Sequence, residues 1–341
     1  MWSAILANDL NQLISCRESL NKKKPDAVNL AATFGRTEIL KWLIEEEKCA
    51  IPYKRPPERL AAQNGHLDCL IYLYEHSSRK WSKSLYWEVC IDVVDFGSLQ
   101  CLQWLHENSE VSRWWDKRIY DSAAFRGNLD CLRYLHENGC PRDPDALTTA
   151  AGHGQLDCLK YLHEQGHPLN AAAIRNATRC KQFDCLQYLH GNGCPIDGEI
   201  YLAAVQTDDM QYVRYVYDEI EHDTNHSWPG DERACEMAAR NGNVECLEYL
   251  HRQGCPWDES TTIAAAGKGH LWCLIYACRE GCPCSANVCS AAVAGVQLDC
   301  LKWLIDHDCP IDKAECLSCI PHYKYCWRPI VQEMVTYINS I

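Results

Sequence analysis

Histidine recurs at one position of a phrase that is repeated along this chain of 341 residues. The phrase reads Leu-Asp-Cys-Leu-x-Tyr-Leu-His, and five histidines at its end are His106, His136, His163, His190 and His251. A row of imidazoles could bind metal, but a zinc ion needs all of its ligands about 2 Å away. Copies of one helical position lie too far apart for that. We therefore expect each histidine to close its helix against the neighbouring copy.

The C-terminal tail carries a second set of metal-type side chains. They have the spacing Cys-x2-Cys-x2-His-x3-Cys, which is typical of zinc sites, and they are Cys316, Cys319, His322 and Cys326. Cys316 and Cys319, however, also fall at core positions of the repeated pattern. We therefore expect no metal site, and these four residues are the candidates if zinc does bind.

An aromatic residue fills one position of ten consecutive copies. The ten are Trp42, Tyr72, Trp104, Tyr134, Tyr161, Tyr188, Tyr215, Tyr249, Tyr276 and Trp303. Such a row could stack nucleic-acid bases. These aromatic residues nevertheless lie beside leucine or another apolar residue on the apolar stripe of their helices, so we expect core packing instead.

Motifs that position a nucleophile, a phosphate or a catalytic metal are missing from the sequence. It contains no glycine-rich nucleotide loop, no Gly-x-Ser-x-Gly elbow and no His-Glu-x-x-His. The many Asp-Cys pairs recur with the phrase, which favours a packing role. We therefore expect no enzyme activity, no cofactor and no small-molecule substrate.

Charge is unevenly distributed along the chain. Residues 1–133 hold 18 Lys and Arg against 18 Asp and Glu, whereas residues 134–341 hold 15 against 28 and carry the whole net charge of −13. Nucleic-acid binding needs a basic field, so no nucleic-acid partner is expected. No apolar run is long enough to span a bilayer, and the N-terminus lacks the basic start of a secretory signal. A membrane partner is therefore not expected either.

Cysteine is frequent, with 24 in the chain. Eight share one position of the phrase. Four more recur in Gly-Cys-Pro at Cys140, Cys194, Cys255 and Cys282, and Cys309 fills the same position in Asp-Cys-Pro. Equivalent atoms of adjacent copies should lie roughly 8–10 Å apart, as packed helices do, whereas a disulfide needs Cα atoms within about 7 Å. We therefore expect reduced thiols, packed as small apolar side chains in a cytoplasmic protein.

The phrase returns with a basic period of 27 residues. Close copies are centred on Cys69, Cys101, Cys131, Cys158, Cys185, Cys246, Cys273 and Cys300, and degenerate copies on Gln12, Ile39 and Tyr212. After Cys131, apolar residues continue at helical spacing to Leu135, and Gly139 stands where a helix-ending glycine belongs. Asp143 then begins another helix with an Ala-Ala pair. The pattern thus predicts that each unit has a first helix, which carries the Ala-Ala pair, and a second helix, which carries the phrase.

The residues expected to begin the first helices support this frame. Asp, Asn, Ser and Thr are preferred there because their side chains accept backbone N–H groups. The six in-phase residues are Asp143, Asn170, Asp197, Asp258, Ser285 and Asp312. The pattern therefore predicts roughly 24 short helices and no substantial sheet.

The stretch from Ala61 to Cys69 resembles the ankyrin repeat, which has an Ala-Ala pair, then Gly-His, then an apolar second helix. The Gly-Cys-Pro wording resembles the short Cys-rich ankyrin repeats common in giant DNA viruses and some protists. The resemblance implies an all-α, right-handed ankyrin-like solenoid of about 11 helix-turn-helix repeats over residues 1–312, with a degenerate cap at 313–341. These units are shorter than the roughly 33 residues of an ankyrin repeat, so the projecting fingers should be reduced to turns.

Four intervals between copies exceed 27 residues, which predicts longer loops within 45–122 and 218–233. Insertions in repeat proteins map to one face, often the binding face. Those in 45–122 mix aromatic residues with Lys and Arg, and aromatic residues and Arg are enriched at interfaces. The residues are Tyr53, Arg55, Trp81, Lys83, Arg113, Trp114, Trp115, Lys117 and Arg118. We predict that they contact a protein partner; the alternative is that the tryptophans fold back onto the core.

The resulting hypothesis is a non-catalytic scaffold or adaptor that binds another protein through the loops and first helices of one face. The alternative is a structural subunit of a larger assembly, such as a giant-virus particle. The first predicts a cytoplasmic protein, and a viral origin would place it in the host cytoplasm or the virion.

Overall fold

The computed structural model describes residues 2–15, 24–52, 55–76, 81–108, 115–220, 232–320 and 329–340. Within these ranges the chain forms 24 α-helices and one π-helical segment, and no residue of them is in a strand. The predicted all-α class is confirmed.

The helices form eleven pairs, each with a first and a second helix, as the repeat predicted. In chain order the pairs are α1 (Trp2–Ala7) and α2 (Leu10–Ser15), α3 (Lys24–Thr33) and α4 (Thr37–Glu45), α5 (Pro57–Gln63) and α6 (Leu67–His76), α7 (Lys83–Asp95) and α8 (Leu99–Asn108), α9 (Lys117–Arg126) and α10 (Leu129–Glu137), α11 (Ala146–Gly152) and α12 (Leu156–Glu164), α13 (Ala171–Arg179) and α14 (Phe183–Gly191), α15 (Glu199–Gln206) and α16 (Met210–Arg214), α17 (Glu232–Asn241) and α18 (Val244–Arg252), α19 (Glu259–Lys268) and α20 (Leu271–Arg279), α21 (Ala286–Ala294) and α22 (Leu298–Asp306). The π-helical segment Tyr215–Ile220 continues α16, and α23 (Lys313–Ser318) and α24 (Pro329–Ser340) follow the last pair.

The chain divides into two compact units, Met1–Ala173 and Ile174–Ile341. Inside each unit, a first helix packs against the first helix of the next pair, as α5 does on α7 and α17 on α19. Second helices contact each other in the same order, as α4 does on α6 and α18 on α20. Such a pair therefore buries its apolar stripe between two neighbours, which is how repeats build a shared core.

The residues of the phrase supply this core. Cys158, Leu159 and Leu162 of α12 are buried, and the Ala150-Ala151 pair of α11 is fully buried beneath them. Small alanines let the first helix approach its neighbours closely. Thiol and leucine side chains fill the remaining space as apolar groups.

All six predicted capping residues accept a backbone N–H from two or three residues further along the chain. The acceptors are Asp143, Asn170, Asp197, Asp258, Ser285 and Asp312. The starts of α11 and α15 still differ from the prediction. Asp143 and Asp197 cap a preceding turn, and the helices begin later, at Ala146 and Glu199.

The glycine between the two helices of a pair has a steric reason. Gly35 has φ of 65°, and a Cβ there would lie 2.6 Å from Nδ1 of His66 in the next pair. The same His66 ring bonds through Nε2 to the carbonyl oxygen of Thr33 at 3.0 Å. Only glycine combines the left-handed backbone with room for this contact. The Gly-His part of the phrase thus joins consecutive repeats.

Twenty cysteines of the described residues are free, and most are buried, as predicted. Two Gly-Cys-Pro thiols donate to the carbonyl oxygen of the residue that caps the preceding first helix, Cys140 to Asp116 at 3.6 Å and Cys282 to Asp258 at 3.1 Å. The expectation that every thiol is reduced is wrong at one place, because Cys284 and Cys309 form a disulfide with Cα atoms 6.4 Å apart. The two residues are not equivalent positions of adjacent repeats, so the distance argument did not apply to them.

The last two helices, α23 and α24, follow the eleventh pair, and α23 packs against α21. Val331, Met334 and Ile338 of α24 are buried. Lys302 on α22 pairs with Glu333 at 2.8 Å and lies 5.8 Å from the ring centre of Tyr337. This arrangement fits the predicted capping role of residues 313–341, although the boundaries of the array stay a prediction.

Candidate interaction surface

The histidine row forms hydrogen bonds between repeats. Nδ1 of His106 on α8 lies 2.8 Å from the hydroxyl of Tyr134 on α10. The same bond joins His190 to Tyr215 and His251 to Tyr276, both at 3.0 Å. Histidine of one repeat and tyrosine of the next therefore belong to one contact, which places both in packing between neighbouring second helices.

In two repeats, a carboxylate one residue beyond the histidine position is the hydrogen-bond partner of the tyrosine. The hydroxyl of Tyr72 donates to Glu45 at 2.9 Å, and that of Tyr249 donates to Asp218 at 2.5 Å. The aromatic row is thus held at the interface of adjacent second helices, as expected, and not displayed as a stacking surface.

The thiols of the phrase are inert. Burial raises the pKa of Cys101 to about 11 and that of Cys131 and Cys158 to about 12. A thiolate is the nucleophile and metal ligand in cysteine chemistry. These side chains therefore stay protonated near neutral pH.

Of the four metal candidates in the tail, the structure describes two. Cys316 is buried on α23 with its sulfur 3.7 Å from Oγ of Ser290, and Cys319 is half-buried at the end of that helix. His322 and Cys326 lie outside the described residues. Within those residues, no three His, Cys, Asp or Glu side chains come together in a group that could hold a metal ion.

The described insertions all lie between a second helix and the next first helix, as predicted from the spacing. Among the predicted contact residues, Tyr53, Arg113 and Trp114 lie outside the described residues. Arg55 and Lys83 are exposed, and Lys83 begins α7. Trp81 is half-buried, with its ring 5.1 Å from Tyr74 and 6.5 Å from Tyr86.

Trp115 is a packing residue in the free chain. Its side chain is only 7% exposed, and its ring lies 4.3 Å from His106 and 6.3 Å from Tyr134. The indole therefore covers a histidine–tyrosine hydrogen bond between α8 and α10. Trp257 does the same in the other unit, where it stacks on His251 at 3.8 Å beside Tyr276. For Trp115, the placement favours the alternative that it folds back onto the core.

Arg118 forms an exposed cluster with two neighbours. Its guanidinium carbon lies 4.3 Å from the ring centre of Trp87 on α7, and its Nε and Nη2 donate to Asp116 at 3.0 and 2.6 Å. Burial acts to raise the pKa of Asp116, but the hydrogen bonds from Arg118 outweigh it and lower that pKa. The carboxylate is thus charged at neutral pH, and it helps to hold the guanidinium over the indole. We call Trp87, Asp116 and Arg118 the Arg118 cluster.

Lys117 extends the cluster toward the next repeat. Its Nζ lies 3.4 Å from the carboxylate of Asp143, which precedes α11. Its side chain is 59% exposed, so the pair is a surface contact and contributes little stability. Arg118 and Lys117 thus stand next to each other at the edge that carries the insertions.

Sequence reasoning missed Trp87 and a row of phenylalanines. Trp87 lies on the half-buried side of α7, where nothing in the spacing distinguishes it from a core residue. Phe34, Phe96 and Phe125 are exposed at the C-terminal ends of first helices, beside the turn glycines. The first two occupy the same position of their repeats, five residues before the centre of the phrase, which is the signal that could have found them.

Comparison with known families agrees with the geometry. A family model described as ankyrin repeats (3 copies) matches residues 1–84 and 120–200. These two stretches of the chain carry ankyrin repeats. No curated protein matched the sequence. Ankyrin repeats are generally protein–protein interaction modules and are typically not enzymes.

The ankyrin repeats of this chain have short connections where longer repeats project fingers. Residues 138–145 and 165–170 join second to first helices through turns, and none of these residues is in a strand. Among the described helices, none is both long and apolar enough to cross a lipid bilayer. The insertions therefore provide the main departures from a uniform ankyrin array.

One ankyrin unit replaces the Gly-Cys-Pro cysteine with His167. The ring is buried and stacks on Tyr120 at 6.0 Å. Burial lowers the pKa of His167, Arg142 and His136 lower it further, and Asp143 opposes the shift. The folded chain therefore holds this imidazole neutral near pH 7.

Replacing His167 with cysteine should reduce the loss of stability in acid. An unfolded histidine has a pKa of about 6.5, so the unfolded chain binds more protons than the folded one below that pH. The contribution of the neutral His167 side chain to stability is therefore present above that pH and is lost as the pH falls below it. Urea unfolding at pH 7.5 and pH 5 measures the loss for both chains. Equal losses would rule out His167 as its source.

Proposed function

We propose that this chain is a non-catalytic scaffold that binds a protein partner through the insertion edge and first helices of the Met1–Ala173 unit. The Arg118 cluster carries the proposal. It presents an arginine and a tryptophan, two residue types that dominate binding energy at interfaces, at the edge where the long insertions lie.

The geometry of the cluster supports this role. A guanidinium that is already stacked on Trp87 and bonded to Asp116 loses little side-chain freedom when a partner docks, and preorganisation of this kind favours affinity. Its side chain is 63% exposed, so a partner can reach it. Arg55, Lys83 and Lys117 are exposed along the same edge and widen the surface that it offers.

The burial of Trp115 changes which residues a partner would meet. Trp115 packs against His106, whereas Arg118 lies over the ring of Trp87 on α7. The described part of the predicted contact set therefore divides into Trp115 and Trp81, which pack, and four exposed basic residues, Arg55, Lys83, Lys117 and Arg118. Tyr53, Arg113 and Trp114 complete the proposed surface.

Arg118→Ala should weaken capture of the partner at least about tenfold, which corresponds to ~1.4 kcal/mol. Tagged wild-type and variant chains would be purified from the native cell, and bound proteins quantified by mass spectrometry. Arg133→Ala is the matched control, because Arg133 also lies over an aromatic ring, that of Tyr161 at 5.4 Å, but on a second helix. Equal capture by wild type and Arg118→Ala, or equal loss in both variants, would contradict the assignment.

The alternative of a structural subunit makes a different prediction in the same experiment. If the chain is a component of a viral or cellular particle, its capture should recover one other protein in a large and fixed excess over the chain itself. A scaffold should instead recover its partner near equal stoichiometry. Twenty free cysteines among the described residues favour a reducing compartment such as the cytoplasm for this interaction, with the Cys284–Cys309 disulfide as the exception.

A further inference from the structure

Trp272 is the most exposed large apolar side chain of the described residues. It is 74% exposed in the first turn of α20. Seven other second helices carry an acid at this position of the phrase. The equivalent residues are Glu38, Asp68, Asp130, Asp157, Asp184, Glu245 and Asp299. A tryptophan at this position contributes little to the stability of the repeat, because most of its surface stays in water.

The outward side of α20 is apolar over one further turn. Ile275 is half-buried one turn after Trp272. Most other second helices carry a polar residue at that position, among them Arg133, Lys160, Gln187, Glu248 and Lys302. Residues three apart lie on one face of a helix. Trp272 and Ile275 therefore form one apolar strip, which we call the α20 strip.

Acidic residues border the α20 strip on both sides. Second helices α18 and α22 each contact α20. At the position equivalent to Trp272 they carry Glu245 and Asp299. Asp299 is exposed, and the side chain of Glu245 is 64% exposed while its carboxylate pairs with Arg214 at 3.0 Å. The strip thus has an acidic residue on each flank.

The net charge of the surrounding unit limits which kind of partner can bind the α20 strip. Residues 174–341 hold 13 Lys and Arg against 23 Asp and Glu, a net charge of −10. Repulsion between like charges disfavours a second copy of the same surface. Acidic surroundings also oppose an anionic membrane or a nucleic acid. They favour a basic partner, and an apolar strip on a helix suits an amphipathic helix.

We propose that the α20 strip is a second interaction surface, which docks a basic amphipathic helix of a protein partner. Trp272 and Ile275 contact the apolar face of that helix, and its Lys and Arg residues face Glu245 and Asp299. An exposed tryptophan flanked by polar residues is the arrangement of an interface anchor. This surface lies in Ile174–Ile341 and is independent of the Arg118 cluster.

Trp272→Asp tests the proposal with little risk to the fold, because aspartate is the residue that α10, α12, α14 and α22 carry at this position. The probe is a fluorescein-labelled helical peptide of Lys and Leu, about 18 residues long so that it can form a helix. Fluorescence anisotropy measures its affinity for the full chain. We expect binding to the wild type, and at least tenfold weaker binding to Trp272→Asp.

Matched controls distinguish binding of the peptide at the α20 strip from binding through net charge alone. Phe96→Asp replaces another exposed aromatic residue, in the other unit, and should bind the peptide like the wild type. A Glu and Leu peptide, and a Lys and Leu peptide scrambled to remove its apolar face, should bind much less. The proposal is overturned if Trp272→Asp binds as well as the wild type, if either control peptide binds equally, or if sedimentation velocity shows a wild-type dimer that Trp272→Asp dissociates.

Discussion

Trp115→Ala should destabilise the junction of α8 and α10 by about 3 kcal/mol or more, as expected for removing a large buried aromatic side chain. The indole is almost fully buried and covers the hydrogen bond between His106 and Tyr134. Its loss leaves a cavity between two repeats and exposes that bond to water. Amide hydrogen exchange in α8 and α10 should accelerate because these helices open more often.

Two variants serve as controls for that result. Trp115→Phe keeps an aromatic ring in the same space and should lose much less stability. Phe96→Ala removes a side chain that is 61% exposed and should change the free energy of unfolding by no more than about 0.5 kcal/mol. If Trp115→Ala were as stable as Phe96→Ala, the indole would not be packed as described, and a direct role in partner contact would gain support.

Arg59→Ala should be the second large effect, at about 2 kcal/mol. Nε of Arg59 lies 2.5 Å and Nη2 3.1 Å from the two carboxylate oxygens of Asp92, which is 5% exposed on the neighbouring first helix. Removal of the guanidinium leaves a buried carboxylate with Gln63 as a remaining donor at 3.0 Å. A fully buried pair loses ~3–5 kcal/mol when one partner is removed; the cost here is smaller because Arg59 is 36% exposed.

Urea unfolding measures this loss, and Arg118→Ala is its matched control. The pair of Arg118 and Asp116 has similar hydrogen bonds but is exposed, so its removal should cost below about 1 kcal/mol. The double variant Arg59→Ala with Asp92→Ala should recover part of the stability, because no buried charge is left unpaired. A double variant less stable than Arg59→Ala would show that Asp92 stabilises α7 without its arginine.

The repeat architecture could be predicted from the sequence because its causes are local and recur. The phrase fixes an apolar stripe on each second helix, and residues such as Asp258 and Ser285 begin first helices wherever the pattern places them. Errors at helix starts were small and arose where Asp143 and Asp197 capped a turn first. The assignment of His106 and Tyr134 to packing also followed from their periodic position.

The candidate surface could be located only in part, because it depends on packing between repeats. The spacing identified the insertion edge and named Arg118 and Lys117. It could not indicate that Trp115 lies over His106 while Arg118 lies over Trp87, since both contacts join different repeats across an irregular segment. The disulfide between Cys284 and Cys309 was not predicted for a similar reason, because it joins non-equivalent positions of two repeats.

The most direct test of the binding edge is hydrogen–deuterium exchange of the full chain, alone and with the partner recovered by capture. We expect the partner to protect the first turns of α7 and α9, which carry Lys83, Lys117 and Arg118, and to leave α10 and α12 unchanged. Protection centred on α10 and α12, with α7 and α9 exchanging as in the free chain, would contradict the proposed surface.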